Sequence, residues 1–262
     1  NSIDKLFLLD AYALIYRAYY AFIKNPRINS KGFNTSAILG FVNTLEEVLK
    51  KESHTQGVAF DPSGPTFRHE AYEQYKAQRE ETPEAIRLSV PIIKDIIRAY
   101  RIPILEVSGY EADDVIGTLA TEAGRQGITT YMMTPDKDYG QLVSDRVFMY
   151  RPKHTGGFEV MGTEEVKTKF NIQTTEQVID MLGLMGDASD NIPGCPGVGE
   201  KTAQKLIAEF GSIENLLEHT DQLKGALKTK VETNREMITF SKFLATIKTD
   251  VPIQLDMDSL VR

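Results

Sequence analysis

Residues 5–22 read KLFLLDAYALIYRAYYAF, a short apolar run that ends in an acid and passes at once into a longer amphipathic segment. The run Lys5–Leu9 predicts a buried strand, and Ala11–Phe22 predicts a helix. A strand that leads directly into a helix is the repeating unit of proteins with a mostly parallel sheet. Such sheets bind ligands beyond the carboxyl ends of their strands, which is where Asp10 falls.

The same alternation continues through the first two thirds of the chain. Further strands are predicted at Gly57–Phe60, Ile104–Val107, Ile128–Met133 and Val147–Tyr150, and further helices at Ser36–Lys50, Glu84–Tyr100 and Ala112–Arg125. The expected fold class is therefore α/β, with a mostly parallel central sheet flanked by helices. From Thr163 onward only short helices are predicted, so we expect an α/β domain over residues 1–165 and a helical subdomain over residues 166–262.

Acidic residues are concentrated at the ends of apolar runs and in turns. Nine of them form five short clusters: Asp10, Asp61, Glu111, Asp113, Asp114, Asp136, Asp138, Asp187 and Asp190. Three directly follow predicted strands and a fourth follows one after a glycine turn, so several should meet at one rim of the sheet. Carboxylate oxygens are the ligands that Mg²⁺ and Mn²⁺ select. The pattern predicts a metal-dependent phosphoryl-transfer site with nucleic acid as its substrate.

Each acidic cluster taken alone has a plainer interpretation. The acids of GYEADD would also complement the dipole of the helix that they begin. The D-x-D pair of TPDKD is common in turns, and the two acids of GDASDN would equally suit a polar turn. An EF-hand is excluded at TPDKD because residues 139–142 supply no acidic ligands at the required spacing.

Composition narrows the class of protein only in part. A net charge of −7 argues against a nucleic-acid binder, but setting aside the nine candidate ligands leaves 28 acids against 30 basic residues. Because local charge decides phosphate contact, DNA stays compatible with this chain. The single cysteine, Cys195, excludes an intrachain disulfide and suits a reducing cytoplasm, and the four histidines form no spaced metal pair.

The chain shows no membrane or export signal at the level of sequence. No apolar run approaches about 20 residues, so no membrane segment is expected. The N-terminus lacks the basic start and apolar core of a secretory signal. It also lacks an initiating methionine, as a processed or trimmed chain would.

Two further segments are candidates for contact with nucleic acid. Residues 61–82 interleave Arg68, Lys76 and Arg79 with aromatic residues, which suits phosphate contacts combined with base stacking. A solvated helical surface is the alternative. Residues 191–202, NIPGCPGVGEKT, place glycines before a helix start. In this arrangement backbone N–H groups can bind a phosphate of nucleic acid. The spacing is not that of a Walker A loop, and a plain glycine turn is the alternative.

Taken together, the motifs resemble one family. They are LLDAYALIYRAYYAF, NTSAILGF, FDPSGPTFRHEAYEQYKAQR, GYEADDVIGTLA, TPDKDYGQLV and GDASDNIPGCPGVGEKTAQKLI. They resemble those of the 5′-nuclease (5′→3′ exonuclease and flap endonuclease) domain of bacterial DNA polymerase I, from Lys5 to the C-terminal end. The resemblance implies a PIN-like or resolvase-like domain with a helical arch over about residues 62–100, and a DNA-binding helix–three-turn–helix over about residues 175–210.

The resemblance also implies an activity and a set of site residues. The activity is structure-specific hydrolysis of DNA at 5′ flaps and 5′ ends by two or more Mg²⁺ ions, with Mn²⁺ as a substitute, as in Okazaki-fragment primer removal and repair. The first metal would be surrounded by Asp10, Asp61, Glu111, Asp113, Asp114 and Asp136, and the second by Asp138, Asp187 and Asp190. Arg17, Lys76 and Arg79 would contact the scissile phosphate, and Tyr75 would stack on a terminal base.

The glycine loop and the biological setting complete these expectations. DNA would be held by Gly194, Gly197, Val198, Gly199, Lys201 and Thr202, and carbonyls of this loop would bind K⁺. The DNA would be a 5′ flap, a nicked or gapped duplex, or an RNA primer–DNA junction. We expect a monomer in the bacterial cytoplasm at the nucleoid, with a polymerase module in the same full-length chain. An excised domain and a stand-alone paralogue both stay open, as does the balance of exonuclease and flap endonuclease activity.

The chain departs from the family pattern at a few positions. Pro135 stands where glycine is frequent, Tyr139-Gly140 replaces a more apolar pair, and Cys195 replaces an aliphatic residue. These changes affect loop conformation and leave the candidate ligands in place.

Two other functional classes are weighed against this interpretation. A catalytically silent DNA-binding module is disfavoured because every acidic position of the family carries an acid. A haloacid dehalogenase-type phosphatase would need a D-x-D-x-[TV] motif after the first strand, whereas Asp10 is followed by Ala11, Tyr12 and Ala13.

Overall fold

A mostly parallel sheet forms the centre of the first two thirds of the chain. The structure is a computed structural model that describes residues 5–51, 56–153 and 155–260. Within these ranges the strands are β1 (Lys5–Asp10), β2 (Gln56–Ala59), β3 (Ile104–Leu105), β4 (Thr129–Met133), β5 (Val147–Pro152) and β6 (Phe158–Met161). Their order is β3-β2-β1-β4-β5-β6. All neighbouring pairs are parallel except β5 with β6, so the predicted fold class is confirmed.

The antiparallel strand β6 is the main element that the sequence analysis did not predict. It is short, two of its four residues are exposed, and it pairs with β5 across a turn that contains Gly156 and Gly157. Its residues show little apolar periodicity, so hydrogen bonds to the neighbouring strand define it. A sequence pattern does not reveal such hydrogen bonds. Strand β3 is also shorter than predicted.

Helices cover both faces of the sheet. The helices of the first domain are α1 (Ala11–Ala21), α2 (Ser36–Lys51), α3 (Phe67–Ala71), α4 (Glu84–Ala99) and α5 (Ala112–Arg125). Apolar residues of α1, α2 and α4 pack in one cluster with Phe7 and Leu9 of β1. Residues of α5 pack in a second cluster with Leu6 and Leu8, on the opposite face of the same strand. The alternating side chains of a buried strand therefore supply both cores.

The last strand ends at Met161, and the described residues after it form helices and turns up to Leu260. The helices are α6 (Thr163–Phe170), α7 (Gln177–Met185), α8 (Glu200–Phe210), α9 (Ile213–Glu218), α10 (Gly225–Thr233), α11 (Arg235–Ala245) and α12 (Met257–Leu260). Their apolar residues belong to the cluster that includes α5, so this helical region packs directly on the α/β core. The domain boundary at residue 165 stays a prediction. Among the described residues, no helix is both long enough and apolar enough to cross a membrane.

Candidate functional site

Acids from several strands line one open cavity at the carboxyl edge of the sheet. Asp10 ends β1, Asp61 follows β2 by two residues, and Asp136 lies in the turn after β4. These three residues line a cavity of about 730 Å³ together with Glu111 and Asp113 from the start of α5. The parallel topology explains the convergence, because it brings the carboxyl ends of β1, β2 and β4 to the same edge.

Local hydrogen bonds hold the strand-end acids in place. The hydroxyl of Thr134 donates to Oδ2 of Asp10 at 2.9 Å and accepts from the backbone N–H of Asp136 at 3.1 Å. Oδ1 of Asp61 accepts from the backbone N–H of Ala112 at 2.8 Å. Thr134 is fully buried and links two candidate ligands, a role that sequence reasoning missed. Its position directly after β4, as the first residue of TPDKD, was the available signal.

Six of the nine acids form two groups that are each compact enough for a cation. One ligand atom from each of Glu111, Asp113 and Asp114 lies within 4.8 Å of the others, and the same holds for Asp138, Asp187 and Asp190. Each group contains a buried carboxylate oxygen without a hydrogen-bond partner among the described residues, Oδ1 of Asp113 and Oδ1 of Asp138. The second of these oxygens lies 3.7 Å from Nζ of Lys137. Buried polar atoms normally form hydrogen bonds, so such an oxygen in an all-oxygen donor set fits a hard divalent cation.

Burial and mutual repulsion raise the pKa values of several acids. Burial, and then the charges of Asp61 and Asp136, raise the pKa of Asp10 to about 7. Burial, followed by Asp136 and Asp187, raises the pKa of Asp138 to about 8. The pKa of Asp113 is also raised, first by burial and then by Asp114 and Glu111. When these carboxyls ionise together, several negative charges lie close to one another. A bound cation would offset their repulsion.

Glu111 behaves in the opposite way because basic side chains surround it. Burial opposes its ionisation, but Lys76 and Arg68 hold its pKa at about 2. It accepts ion-pair contacts from both cations and a hydrogen bond from the Tyr75 hydroxyl at 3.1 Å. Glu111 is thus a permanent anion at the start of α5, where it also caps the helix.

Arg68 is a site residue whose role only the structure reveals. It is 1% exposed, and it makes a bidentate contact with Asp114 at 2.8 Å for both bonds. Asp114 also accepts from the backbone N–H groups of Glu111 and Lys248 at 3.1 Å and 2.9 Å. Asp114 is therefore fully engaged on the inner side of the first acidic group. Its assignment as a metal ligand stays a prediction.

Lys76 and Arg79 lie directly against the acids, and their contact with the scissile phosphate stays a prediction. Nζ of Lys76 pairs with Glu111 and lies 4.0 Å from Oδ1 of Asp190. Nη2 of Arg79 lies 2.6 Å from the same oxygen of Asp190. Lys76 has a positive φ of 57°, and its backbone N–H donates to the carbonyl of Asp190 at 2.9 Å. This segment therefore docks on the turn that carries the second acidic group.

Tyr75 is placed differently from expectation, and Arg17 makes a protein contact that the sequence did not predict. The ring of Tyr75 is 3% exposed, and its hydroxyl is used by Glu111, so in this conformation it is not available for stacking on a base. The expected stacking is corrected for this structure: a hydrogen bond to a buried carboxylate holds the phenol inside. Arg17 is half-buried and donates to the backbone carbonyl of Lys153 at 2.9 Å, so its phosphate contact stays a prediction.

The glycine loop lies next to the second acidic group and is held by specific backbone contacts. The N–H of Gly194 donates to Oγ of Ser241 at 2.9 Å, and the N–H of Cys195 donates to the carbonyl of Leu184 at 2.7 Å. Gly194 has a φ of +65°, and a Cβ there would lie 2.3 Å from the backbone nitrogen of Gly186. This close approach of the two backbones explains why both Gly186 and Gly194 are glycine.

The predicted DNA-contact residues divide into buried and accessible ones. Gly194 and Val198 are buried and anchor the loop, whereas Gly197, Gly199 and Lys201 are exposed. Thr202 is half-buried in the first turn of α8. The exposed members present backbone and an ammonium group at a helix N-terminus, which suits contact with phosphate.

Two family models match nearly the whole chain. Residues 5–171 match the model described as 5′-3′ exonuclease, N-terminal resolvase-like domain. Residues 173–262 match the model described as 5′-3′ exonuclease, C-terminal SAM fold.

Curated relatives are much longer than this chain. It is 44% identical to DNA polymerase I of Bacillus subtilis over 260 residues, which are 98% of this chain and 29% of that protein. It is 39% identical to the thermostable DNA polymerase I of Thermus filiformis over 259 residues, again 98% of this chain and 30% of that protein. The chain therefore spans less than a third of the length of these relatives.

Solved structures share the fold. Zinc-bound T5 5′-exonuclease has a TM-score of 0.75 and 23% identity, with 94% of this chain and 90% of that chain covered. The bacteriophage T5 flap endonuclease, in a pseudo-enzyme-product complex with DNA and metal ions, has a TM-score of 0.73 and 24% identity, with 94% and 90% covered.

Proposed function

This chain belongs to the 5′-3′ exonuclease family, and on that premise we propose that it is a structure-specific 5′ nuclease. It would hydrolyse DNA phosphodiesters at 5′ flaps and 5′ ends with two divalent cations. Mg²⁺ is the proposed ion and Mn²⁺ the substitute, because all candidate ligands are carboxylate oxygens.

One observation carries this proposal. Two compact carboxylate groups each contain a buried oxygen that has no hydrogen-bond partner among the described residues, and two cationic side chains lie against them. A phosphate between the groups would meet bound cations together with Lys76 and Arg79. This combination suits charge stabilisation during transfer of a phosphoryl group.

The reaction would follow from these placements. When bound, the pair of cations would activate water and stabilise charge on phosphorus. Lys76 and Arg79 would bind the non-bridging oxygens of the scissile phosphate, with Arg17 as a further contact. Thr134 would hold Asp10 and Asp136 in register. Addition of water to phosphorus and cleavage of the bond to O3′ would yield a 5′-phosphate and a 3′-hydroxyl.

We propose that the glycine loop and α8 hold the duplex behind the cleavage site. Gly197, Gly199 and Lys201 are exposed there, while Thr202 lies in the first turn of the helix. Contacts to phosphate and backbone are independent of base sequence, so selectivity would be for DNA structure. Carbonyls of this loop would bind K⁺.

The biological setting is part of the proposal. The substrates would be 5′ flaps, nicked or gapped duplexes and RNA primer–DNA junctions, in primer removal and repair. The relatives are DNA polymerase I, so we propose a polymerase module in the same full-length protein, acting at the bacterial nucleoid, with the nuclease part monomeric.

A cleavage assay tests this function directly. A flap DNA labelled at its 5′ end is incubated with Mg²⁺ or EDTA, beside a blunt duplex and a single strand. We expect Mg²⁺-dependent cleavage near the flap junction and little cleavage of the single strand. Binding of the flap without cleavage in Mg²⁺ and in Mn²⁺ would instead identify a silent DNA-binding module.

A further inference from the structure

An aromatic wall lines the candidate site on the side of α1. Ala13, Tyr16 and Tyr20 all border the cavity that contains the acids, and their spacing of three and four residues places them on one face of the helix. Because α1 begins directly after Asp10, this face extends from the strand-end acid to Tyr20. The proposed reaction gives none of these side chains a role.

Tyr20 has the most accessible aromatic ring of this cavity. It is 52% exposed, and of the large apolar side chains that are exposed in the described ranges it alone lines the cavity. Tyr75, which was expected to stack on a base, is 3% exposed. Exposed aromatic rings within concave sites commonly contact ligands, whereas single ones elsewhere on a surface need no explanation. The ring of Tyr20 therefore points to a ligand with a flat face.

The protein holds this ring in place before any ligand arrives. The rings of Tyr16 and Tyr20 are stacked, with centroids 6.4 Å apart and an interplanar angle of 22°. The ring of Tyr19 meets that of Tyr20 at 82°, with centroids 5.1 Å apart. The Tyr16 hydroxyl donates to Oγ1 of Thr82 at 3.1 Å, so the stack is tied to the segment that leads into α4. A ring oriented in advance loses little conformational entropy when it binds a ligand.

The charges near this wall favour a nucleobase over a phosphate. Glu80 and Glu81 line the cavity and directly precede Thr82, which contacts the aromatic stack. Their carboxylates repel a phosphate group and do not repel an uncharged base. Lys76 and Arg79 are paired with the acids of the site, so they offset charge there. An aromatic ring, in contrast, binds a base by stacking and needs no cation.

The dimensions of the cavity limit what can bind to Tyr20. A volume of about 730 Å³ is that of a pocket for a small molecule, so the cavity admits unpaired nucleotides and excludes a double helix. Tyr20 follows Asp10 by ten residues, which correspond to about 15 Å of helix. Successive stacked nucleotides are about 3.4 Å apart, so about four nucleotides span this distance.

We propose that Tyr20 binds an unpaired nucleobase of the substrate by stacking, within about four nucleotides of the phosphodiester that is cleaved. The inference rests on the proposed function, which supplies DNA as the ligand. Every base has a flat face, so this contact is independent of sequence and requires only that the base is unpaired. It therefore contributes to selectivity for a 5′ flap.

A fluorescent probe at position 20 tests the stack directly. The chain contains no tryptophan, so Tyr20→Trp introduces a single indole, whose emission a stacked base quenches. With Ca²⁺ in place of Mg²⁺, we expect 5′-flap DNA to quench this emission and a flap of abasic nucleotides to have little effect. Equal quenching of Tyr20→Trp by the normal and the abasic flap would overturn the inference.

The matched control is Phe243→Trp. Phe243 is an exposed ring of α11 outside the cavity, and like Tyr20 it has one stacked and one perpendicular aromatic neighbour. We expect its emission to respond in the same way to the normal and the abasic flap. A base-dependent quench of the same size at both positions would show contact without a specific site, and would contradict the assignment to Tyr20.

Flaps with a single abasic nucleotide measure the contribution of the stack to binding. Wild-type protein should bind about 5- to 100-fold more weakly when the missing base is the one on Tyr20, which corresponds to the usual free energy of one stack. Tyr20→Leu keeps bulk and helix propensity but has no aromatic face, so it should bind normal and abasic flaps equally. Tyr20→Phe should behave as the wild type does. An abasic effect of the same size in wild type and in Tyr20→Leu would remove the inference.

Thermal melts separate ligand binding from a structural role. Because the Tyr20 ring is half exposed, Tyr20→Phe and Tyr20→Leu should both melt within about 4 °C of the wild type. A larger fall for Tyr20→Leu, with weaker binding of normal and abasic flaps alike and an unquenched indole in Tyr20→Trp, would assign the ring to the packing of α1 and overturn the inference.

The cleavage assay run in parallel distinguishes this inference from the proposed function. Flap cleavage by wild-type protein with Mg²⁺, beside equal binding of normal and abasic flaps, would remove the inference alone. A base-dependent quench in Tyr20→Trp, beside wild-type protein that cleaves no DNA, would leave the inference standing and remove the nuclease assignment. Absence of flap binding by wild-type protein would remove both.

Discussion

The two terminal nitrogens of Arg68 donate to Asp114, Nη1 to Oδ2 and Nη2 to Oδ1, at 2.8 Å in each case, and neither residue is more than 1% exposed. The same guanidinium donates to the carbonyls of Leu244 and Thr246 at 2.9 Å and 2.7 Å, at the end of α11. One side chain therefore joins the segment after β2, the start of α5 and the helical region. The contact holds the first acidic group against the part of the chain that carries the glycine loop.

Replacing Arg68 by Met should destabilise the fold by about 3–5 kcal/mol, because it leaves the buried Asp114 charge and two carbonyls without their partner. Urea unfolding followed by circular dichroism measures the loss. The control is Arg87→Met, which removes an exposed pair with Glu84 and should cost at most about 1 kcal/mol. Equal stabilities of the two variants would contradict the assigned role of Arg68.

Asp113→Asn and Asp138→Asn test one acid from each group, chosen because Oδ1 of each is buried and has no hydrogen-bond partner in the part of the chain that the structure describes. Each should reduce kcat for flap cleavage by at least about 100-fold, since even indirect partners of metals have effects approaching this size. Binding of flap DNA, measured by fluorescence anisotropy, should change far less. Asp145→Asn, an exposed acid outside both groups, serves as control. Normal turnover of both site variants at saturating Mg²⁺ would remove this site assignment.

Lys76→Met should affect cation binding and cleavage in opposite directions. The Lys76 ammonium is paired with Glu111, so it competes with a cation for that carboxylate and repels it. We expect several-fold tighter Mn²⁺ binding by calorimetry, together with slower flap cleavage through loss of a phosphate contact. Lys167→Met, which breaks an exposed pair with Glu164, should change neither quantity. Parallel losses of binding and cleavage would argue against competition.

The raised pKa values of Asp10, about 7, and Asp138, about 8, predict how stability depends on pH. Both carboxyls titrate near pH 4 in an unfolded chain, so between about pH 4 and 8 the folded protein binds more protons. Their contribution to stability is thus full below about pH 4 and is lost as pH rises through 7 and 8. Thermal melts in EDTA between pH 5.5 and 8.5 should follow this decline.

Divalent cations should reverse that decline, because they displace the same protons. The rise in Tm caused by Mg²⁺ should therefore be small at pH 5.5 and large at pH 8.5. The double variant Asp10→Asn, Asp138→Asn should lose this pH dependence. An equal Mg²⁺ effect at both pH values would show that the raised pKa values do not govern cation binding.

Gly194→Ala should destabilise the glycine loop, whereas Gly199→Ala should be tolerated. Gly194 has a φ of +65° and its Cβ would clash with Gly186, while a Cβ at Gly199 meets nothing within 4 Å. We expect a loss of at least about 2 kcal/mol for Gly194→Ala, from left-handed strain and overpacking together. Urea unfolding and duplex binding provide the readouts. Equal behaviour of the two alanine variants would contradict the tight approach.

Local sequence was sufficient to predict the five parallel strands of the sheet and the placement of the strand-end acids. Strand periodicity and chain direction determine which end of each strand carries Asp10, Asp61 and Asp136, and parallel strands bring those ends together. The family resemblance predicted two groups of acids. In the structure Glu111, Asp113 and Asp114 form one compact set and Asp138, Asp187 and Asp190 another, and the assignment of the acids to metals stays a prediction. The missed strand β6 marks the limit of this reasoning. Its residues show little apolar periodicity, and only its pairing with β5 identifies it as a strand.

The interior of the site depended on contacts between distant parts of the chain. Arg68 and Lys76 come from the same polar segment, yet one is fully buried and the other faces the acids. Local periodicity contains no information about this difference, because the partners of Arg68 lie 46 and 176 positions away in sequence. The burial of Tyr75 arises in the same way, because its hydroxyl donates to Glu111, 36 positions away in sequence.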